Sequence, residues 1–68
     1  MGIIVHLDRV MAEKGLNVTQ LAQEAGISRV NMSNFKTGRV RAVRFSTLEA
    51  VCRALGCQPG DILEYVDD

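Results

Sequence analysis

Several features are scarce in this sequence of 68 residues, and each narrows what the chain can be. No apolar run approaches the roughly 18 residues of a membrane span and no secretory signal is visible, so we expect a cytoplasmic protein without a membrane partner. A single histidine, with no glycine-rich phosphate loop and no paired nucleophile and base, argues against an enzyme. A chain this short is expected to form one domain, residues 1–68, with a modest core.

Cysteine and aromatic residues are also few. Two phenylalanines and one tyrosine favour aliphatic helix packing. Cys52 and Cys57 supply too few ligands for a structural zinc, and His6 is far away in sequence, so we expect no metal. No ligand pocket or sensor domain is visible in the sequence, so we expect no other cofactor and no small-molecule ligand. Buried, reduced thiols are the favoured interpretation, and a redox pair is the alternative, because five residues of separation could bring the two sulfurs together.

Apolar residues at helical spacing, bounded by capping residues and glycines, predict three short helices in the first half of the chain. The first is closed by Gly15, the second begins at the N-cap Asn17 with Gln20 as its capping-box partner, and the third runs from the N-cap Ser28 to Gly38. The residues predicted to face the core are Leu7, Val10, Met11, Leu21, Ala22, Ala25, Met32 and Phe35.

Two further helices and a terminal pairing are predicted in the second half. Ser46 and Glu49 match a capping box, Phe45 is placed to pack on Ala50 as a hydrophobic staple, and Pro59 suits the first position of a short fifth helix. The core residues predicted here are Leu48, Val51, Cys52, Leu55, Ile62 and Leu63. The segments "GIIV" and "EYV" are prone to form strands, so a small antiparallel pairing of the two ends is plausible.

The second and third helices are joined so tightly that they must cross at a steep angle. Ala22 is small enough for a close crossing, and Gly26 can take the positive φ that the turn requires. If Met32 and Phe35 face the core, the opposite face of the third helix presents polar and cationic side chains that a DNA major groove could accommodate. That face consists of Arg29, Val30, Ser33 and Asn34.

The segment "NVTQLAQEAGISRVNMSNFKTG", followed by "FSTLEAVCRALGCQPGDIL", resembles the Cro and lambda-repressor-like helix-turn-helix family, also called the xenobiotic-response-element family. The resemblance implies a five-helix, all-α DNA-binding domain with its helix-turn-helix at about residues 17–37, and a transcriptional regulator, most simply a repressor. Family members often have Gln where this chain has Val18, so the phosphate contact made there falls to Thr19 or Gln20. Lys36 stands where the family often has an acid.

Charge is concentrated although the net charge is zero. Five cations and no acid lie between residues 29 and 44, whereas the rest of the chain has three cations and all eight acids. Such a patch attracts phosphates, and its binding would release counterions from a nucleic acid. The charge distribution therefore favours a nucleic-acid partner. A solvated, arginine-rich loop is the alternative interpretation.

Individual roles follow for the third helix and its surroundings. Arg29 suits a bidentate contact to guanine, Asn34 an adenine or a phosphate, and Ser33 either kind of group. Val30 could touch a thymine methyl group or could instead belong to the core. The residues expected to contact the DNA backbone are Asn17, Thr19, Gln20, Asn31, Lys36, Arg39, Arg41 and Arg44, of which Asn17 could be only a cap.

One such module covers little DNA, so we expect a homodimer that binds the two halves of a palindromic operator about 34 Å apart. The candidate dimer surfaces are the apolar ends around Ile3, Ile4, Tyr65 and Val66, or the fifth helix with Ile62 and Leu63. The alternative function is a protein-interaction module on the same scaffold, such as an antitoxin or an accessory subunit.

Overall fold

The computed structural model describes residues 2–67, which form a small helical protein with a two-stranded sheet at one end. In chain order the elements are β1 (Gly2–Val5), α1 (Leu7–Lys14), α2 (Val18–Ala25), α3 (Arg29–Lys36), α4 (Phe45–Leu55), α5 (Pro59–Ile62) and β2 (Leu63–Val66). The five-helix class and the pairing of the two ends are therefore both confirmed. None of the helices within residues 2–67 has the length and apolarity that crossing a bilayer would require.

Side-chain caps set the starts of α2 and α3 as the sequence predicts. The Asn17 Oδ1 atom accepts the Gln20 N–H at 2.8 Å, and the Gln20 Oε1 atom accepts the Asn17 N–H at 3.0 Å. The Ser28 Oγ atom accepts the Asn31 N–H at 3.1 Å. Each bond satisfies a backbone donor that the helix itself cannot pair, so both boundaries are fixed locally.

The four longer helices end in the same backbone arrangement, the Schellman motif. A glycine in the left-handed conformation follows the helix, and the next residue donates its N–H to a carbonyl five positions earlier. At α2 the glycine is Gly26, with φ of 70°, and Ile27 donates to Ala22 at 3.0 Å. The other donor and acceptor pairs are Leu16 to Met11, Arg39 to Asn34, and Cys57 to Cys52.

The helices enclose an apolar core that is mainly aliphatic. Leu7, Leu21, Met32, Val51 and Ile62 are fully buried, and each contributes about 1.5 to 3 kcal/mol relative to an exposed side chain. The other buried members are Val10, Met11, Ala22, Phe35, Leu48 and Leu55. Three residues predicted to face the core, Ala25, Cys52 and Leu63, are only half-buried and pack at its edge.

The predicted start of α4 is wrong. Arg44 has the extended N-cap backbone, with ψ of 145°, and the helix begins at Phe45 without a side-chain cap. Ser46 is therefore already inside the first turn and forms no capping box with Glu49. Phe45 is 86% exposed and makes no buried staple with Ala50. The half-buried Val43 packs against the core just before this point, so tertiary packing fixes where the chain enters the helix.

The two-stranded sheet joins the ends of the described chain. β1 and β2 are antiparallel, with Gly2 opposite Val66 and Val5 opposite Leu63. Leu63 therefore begins β2. The prediction from sequence that Leu63 belongs to the fifth helix is wrong. At the base of the sheet the His6 N–H donates to the Ile62 carbonyl at 2.6 Å, which ties the start of α1 to the end of α5.

Candidate nucleic-acid interface

At the corner between α2 and α3, the structure confirms the buried alanine and the glycine conformation that the sequence predicts. Ala22 is buried where these helices pack, and Gly26 takes the left-handed conformation that turns the chain. Ile27 is half-buried against the core and closes the corner. Ala22 and Ile27 therefore make apolar contacts at the corner, and the outer face of α3 is exposed to solvent.

The outer face of α3 contains the residues predicted to contact bases. Met32 and Phe35 are buried, and since successive helical residues are about 100° apart, the opposite side centres on Val30. Val30 is 70% exposed, which excludes the alternative of core packing. Arg29, Ser33 and Asn34 are exposed beside it, and the four side chains line one shallow depression.

Polar side chains continue from both flanks of this face. On one flank Arg29 and the half-buried Lys36 line a groove with Asn17 and Thr19 at the start of α2. On the other flank Asn31 and Asn34 line a groove that reaches Arg44 and Thr47 at the start of α4. On each flank, predicted backbone-contacting residues therefore share a groove with a predicted base-contacting one. They are Asn17, Thr19, Lys36, Asn31 and Arg44.

Two valines hold the basic loop between α3 and α4 in place. Val40 and Val43 are half-buried and pack against the core. The arginines between and beside them, at positions 39, 41 and 44, are exposed, so the anchored valines leave the cations facing outward. In addition, the Arg39 N–H donates to the Asn34 carbonyl at 2.9 Å, which fixes the start of the loop against the end of α3.

Within residues 2–67, none of the cations of residues 29–44 forms an ion pair. Between described residues there are two ion pairs, His6 with Glu64 and Arg53 with Glu49, and neither involves these five cations. The positive charge of this surface is therefore available to an external anion. We call the surface formed by the α3 face, its two flanks and the basic loop the basic face; its cations are Arg29, Lys36, Arg39, Arg41 and Arg44.

The α2 cap leaves hydrogen-bond donors at the edge of the basic face. The side-chain oxygens of Asn17 and Gln20 are used in the capping box, so the amide nitrogens of both side chains are left as donors. Thr19 is exposed between them, whereas Val18 is half-buried and packs on the core. Donors are what phosphate oxygens accept, so capping and anion binding are compatible at Asn17.

Sequence reasoning missed two residues of this surface. Asp8, on α1, lines the same groove as Arg29 and Lys36 and places a carboxylate beside the cations. Thr47, in the first turn of α4, lines the groove of Asn31 and Arg44. No local pattern marks either residue, because both reach the basic face through packing of helices that are distant in sequence. The valines at 40 and 43 did carry a signal, since they alternate with arginine.

Two short helices joined by a tight turn at a glycine, with the second helix exposed and polar between cationic flanks, define a helix-turn-helix DNA-binding module. The comparison with known families agrees, because the chain belongs to the Cro/C1-type HTH DNA-binding domain family, whose profile matches residues 6–68. The protein is thus a DNA-binding transcriptional regulator and not an enzyme.

Individual relatives are similar over most of the chain. The uncharacterized HTH-type transcriptional regulator YozG of Bacillus subtilis (strain 168) is 50% identical over 68 residues, which covers 100% of this chain and 81% of YozG. The clp gene regulator ClgR from C. glutamicum is 33% identical with a TM-score of 0.71, covering 81% of this chain and 70% of ClgR. The biofilm regulator SinR, solved in complex with DNA, shares the fold at 23% identity and a TM-score of 0.73, covering 78% and 84%.

Proposed function

We propose that this regulator recognises specific double-stranded DNA sequences by placing α3 in the major groove. The observation that carries the proposal is the face of Arg29, Val30, Ser33 and Asn34, which is exposed as one surface while Met32 and Phe35 face inward. A major groove is about 12 Å wide and admits a single α-helix. Five cations surround the face, and none of them forms an ion pair within residues 2–67. They match the phosphates on either side of such a groove.

Within this arrangement the four residues of the α3 face read bases. Arg29, at the first turn of α3, reaches a guanine with two parallel N–H bonds. Val30, at the centre of the face, contacts a thymine methyl group. Ser33 and Asn34 are within reach of the next base pair or of its phosphate, since both are exposed on the same side.

The flanks and the loop bind the DNA backbone and set the orientation of α3. Asn17, Thr19 and Gln20 present donors at the α2 flank. Lys36 and the loop arginines supply charge, and because the loop is anchored by its valines, little ordering is needed on binding. Asn31 completes the second flank. These contacts set affinity more than sequence preference.

We propose further that two copies bind a palindromic operator and that they associate through the sheet. The fifth helix is the weaker candidate, since Ile62 is fully buried in the monomer and Leu63 is half-buried against its core. In contrast, Ile3 and Tyr65 are 63% and 67% exposed as a cross-strand pair. A two-stranded sheet leaves both strand edges open, and a second copy would cover this apolar ribbon.

Occupation of an operator by such a dimer blocks other proteins from overlapping sites, so we propose repression in the cytoplasm as the regulatory outcome. In vitro transcription tests this outcome, with a template whose promoter overlaps the operator sequence obtained by the selection experiment described next. Loss of transcript with rising protein concentration supports repression, whereas a rise in transcript contradicts it.

Selection of bound duplexes from a random pool, combined with light scattering of the free protein, tests binding and assembly together. We expect a palindromic consensus and a particle of twice the chain mass. Ile3→Glu should give a monomer that still enriches the same half-site. Absence of any enriched sequence in dilute salt would contradict the proposal and favour the protein-interaction module instead.

Arg41→Ala is expected to weaken binding to all duplexes alike. The side chain is exposed in the loop, away from the α3 face, and its removal loses one phosphate contact. In a plot of log affinity against log salt, the slope should shrink by about one unit per bound protomer. Arg53→Ala is the matched control, because Arg53 pairs with Glu49 on α4 outside the basic face. An unchanged slope for Arg41→Ala would place Arg41 outside the interface.

Asp8→Asn is expected to tighten binding, in the opposite direction to the arginine variants. The Asp8 carboxylate shares a groove with Arg29 and Lys36 and therefore repels an approaching phosphate. A gain of about 2- to 5-fold per protomer is expected at low salt, and it should fade as salt screens the charge. Glu13→Gln is the control, since Glu13 lines a different groove next to Gly56. Equal gains for both variants would indicate net charge alone.

A further inference from the structure

Cys52 and Cys57 are brought together by the backbone at the end of α4. The Cys57 N–H donates to the Cys52 carbonyl at 3.1 Å, across Gly56 with φ of 66°. In a Schellman motif these two positions commonly make an apolar side-chain contact, as Leu16 and Met11 are placed to do at α1. At α4 the two positions carry thiols instead.

The two thiols open onto a groove that is separate from the basic face. Both cysteines are free and half-buried, and both line this groove with Phe45, Leu48 and Pro59. None of the residues predicted to contact DNA lines it. The pair is therefore reachable by a small reagent while α3 is occupied, and the inference below does not depend on DNA binding.

The surroundings keep both thiols protonated near neutral pH. Burial is the main cause that raises the pKa of each thiol, and the Asp61 carboxylate adds to it in both cases. Contact with Cys57 lowers the pKa of Cys52 and Lys14 lowers that of Cys57, but neither effect reverses the direction. Because the thiolate is the attacking species, oxidation should be slow at neutral pH and faster in alkali.

We infer that Cys52 and Cys57 are a modification site that closes into a reversible intramolecular disulfide by exchange with a low-molecular-weight disulfide. One cysteine thiolate attacks the small disulfide, forms a mixed disulfide and expels one small thiolate, which takes up the proton that the cysteine lost. The second cysteine thiolate then attacks the protein sulfur of the mixed disulfide and expels the other small thiolate, which takes up the second proton. The protein dithiol loses two electrons and two protons, and the small disulfide is reduced to two thiols.

A disulfide suits the site better than a metal does. A metal site needs at least a third ligand beside the two thiols. Within residues 2–67 no histidine, cysteine, aspartate or glutamate forms such a cluster with them. A backbone hydrogen bond of 3.1 Å between the two residues keeps their α-carbons near each other, as an S–S bond requires. The fold therefore pre-organises the reaction. By thermodynamic linkage, a bond that the folded state favours must stabilise the folded state by the same factor.

The test equilibrates the full chain in buffers of oxidised and reduced glutathione, once in native buffer and once in concentrated urea. Acid quenching and intact mass then give the fraction of monomer that has lost two hydrogen atoms. We expect the effective concentration of one thiol at the other to be about 10- to 50-fold higher in the native protein than in urea. The oxidised protein should melt at a temperature several degrees higher than the reduced protein.

Three variants show whether the α4 turn is the cause. Cys52→Ser and Cys57→Ser should each stop at the mixed disulfide with glutathione. Gly56→Ala keeps both thiols but strains the left-handed turn, so its native effective concentration should fall towards the urea value. An equal effective concentration in native buffer and urea for the unaltered chain, or native oxidation that yields only mixed disulfides or linked dimers, would overturn the inference.

Discussion

Replacing Arg29 with alanine is expected to weaken binding to the selected operator by about 5- to 150-fold per half-site, the equivalent of about 1 to 3 kcal/mol. Arg29 begins α3, is exposed, and borders both the α3 face and the α2 flank, so it lies where a guanidinium can reach a base edge. A bidentate contact to guanine depends on the planar fork of donors and not only on charge. Arg29→Lys should therefore lose most of the specific affinity as well.

The measurement that distinguishes a base contact from a phosphate contact is the sequence preference of the variant, not its affinity alone. Selection with Arg29→Ala should give a consensus in which one position per half-site has lost its bias while the others keep theirs. Arg53→Ala removes the same charge from an ion pair outside the basic face and should leave the consensus and affinity nearly unchanged. If Arg29→Ala weakens every duplex equally, Arg29 is a phosphate contact and another residue reads that base pair.

Gly26→Val is expected to lower the free energy of unfolding by about 2 kcal/mol or more and the melting temperature by roughly 8 to 16 °C. Gly26 has φ of 70°, and an added Cβ atom would meet nothing within 4 Å. The cost therefore comes from the backbone conformation and not from a clash. Since a branched side chain tolerates this conformation least, Gly26→Ala should cost less than Gly26→Val. Thermal melts followed by circular dichroism measure both.

Gly60→Ala is the matched control for this corner. Gly60 also has open space around its Cβ position, but it lies in α5 without a positive φ. Alanine should be neutral or slightly stabilising there, because it restricts the unfolded chain. If Gly26→Val melts like the unaltered protein, the left-handed turn is not required and the crossing of α2 and α3 has another origin.

The boundaries of α2 and α3 and the end of α1 could be predicted from sequence because local chemistry sets them. Asn17 and Gln20 satisfy each other's backbone donors whatever the rest of the chain does, and Gly26 permits a turn that few other residues allow. The start of α4 could not be predicted in the same way. Ser46 and Glu49 have the right spacing for a cap, but the packing of Val43 on a distant core decides where the backbone turns.

The same division applies to the basic face. The exposed side of α3 follows from its period, once Met32 and Phe35 are assigned to the core. The separation of cations from acids along the chain also predicted where the charge would lie. Asp8 could not be found in this way, because its place beside Arg29 depends on how α1 packs against the other helices. Sequence therefore identified the face and its charge but missed Asp8, the neighbour that we expect to oppose binding.

The antiparallel pairing of Gly2 with Val66 has a consequence for how the molecule assembles. Pairing the strands closes the chain from residue 2 to residue 66, whereas the contacts between α2 and α3 lie within residues 18–36. Closing the longer segment costs more configurational entropy. The contacts between α2 and α3 can therefore form early, whereas the strands can pair only once β2, residues 63–66, has been synthesised. Because the sheet also holds the proposed dimer contact, a nascent chain would acquire its DNA-reading surface before its ability to pair.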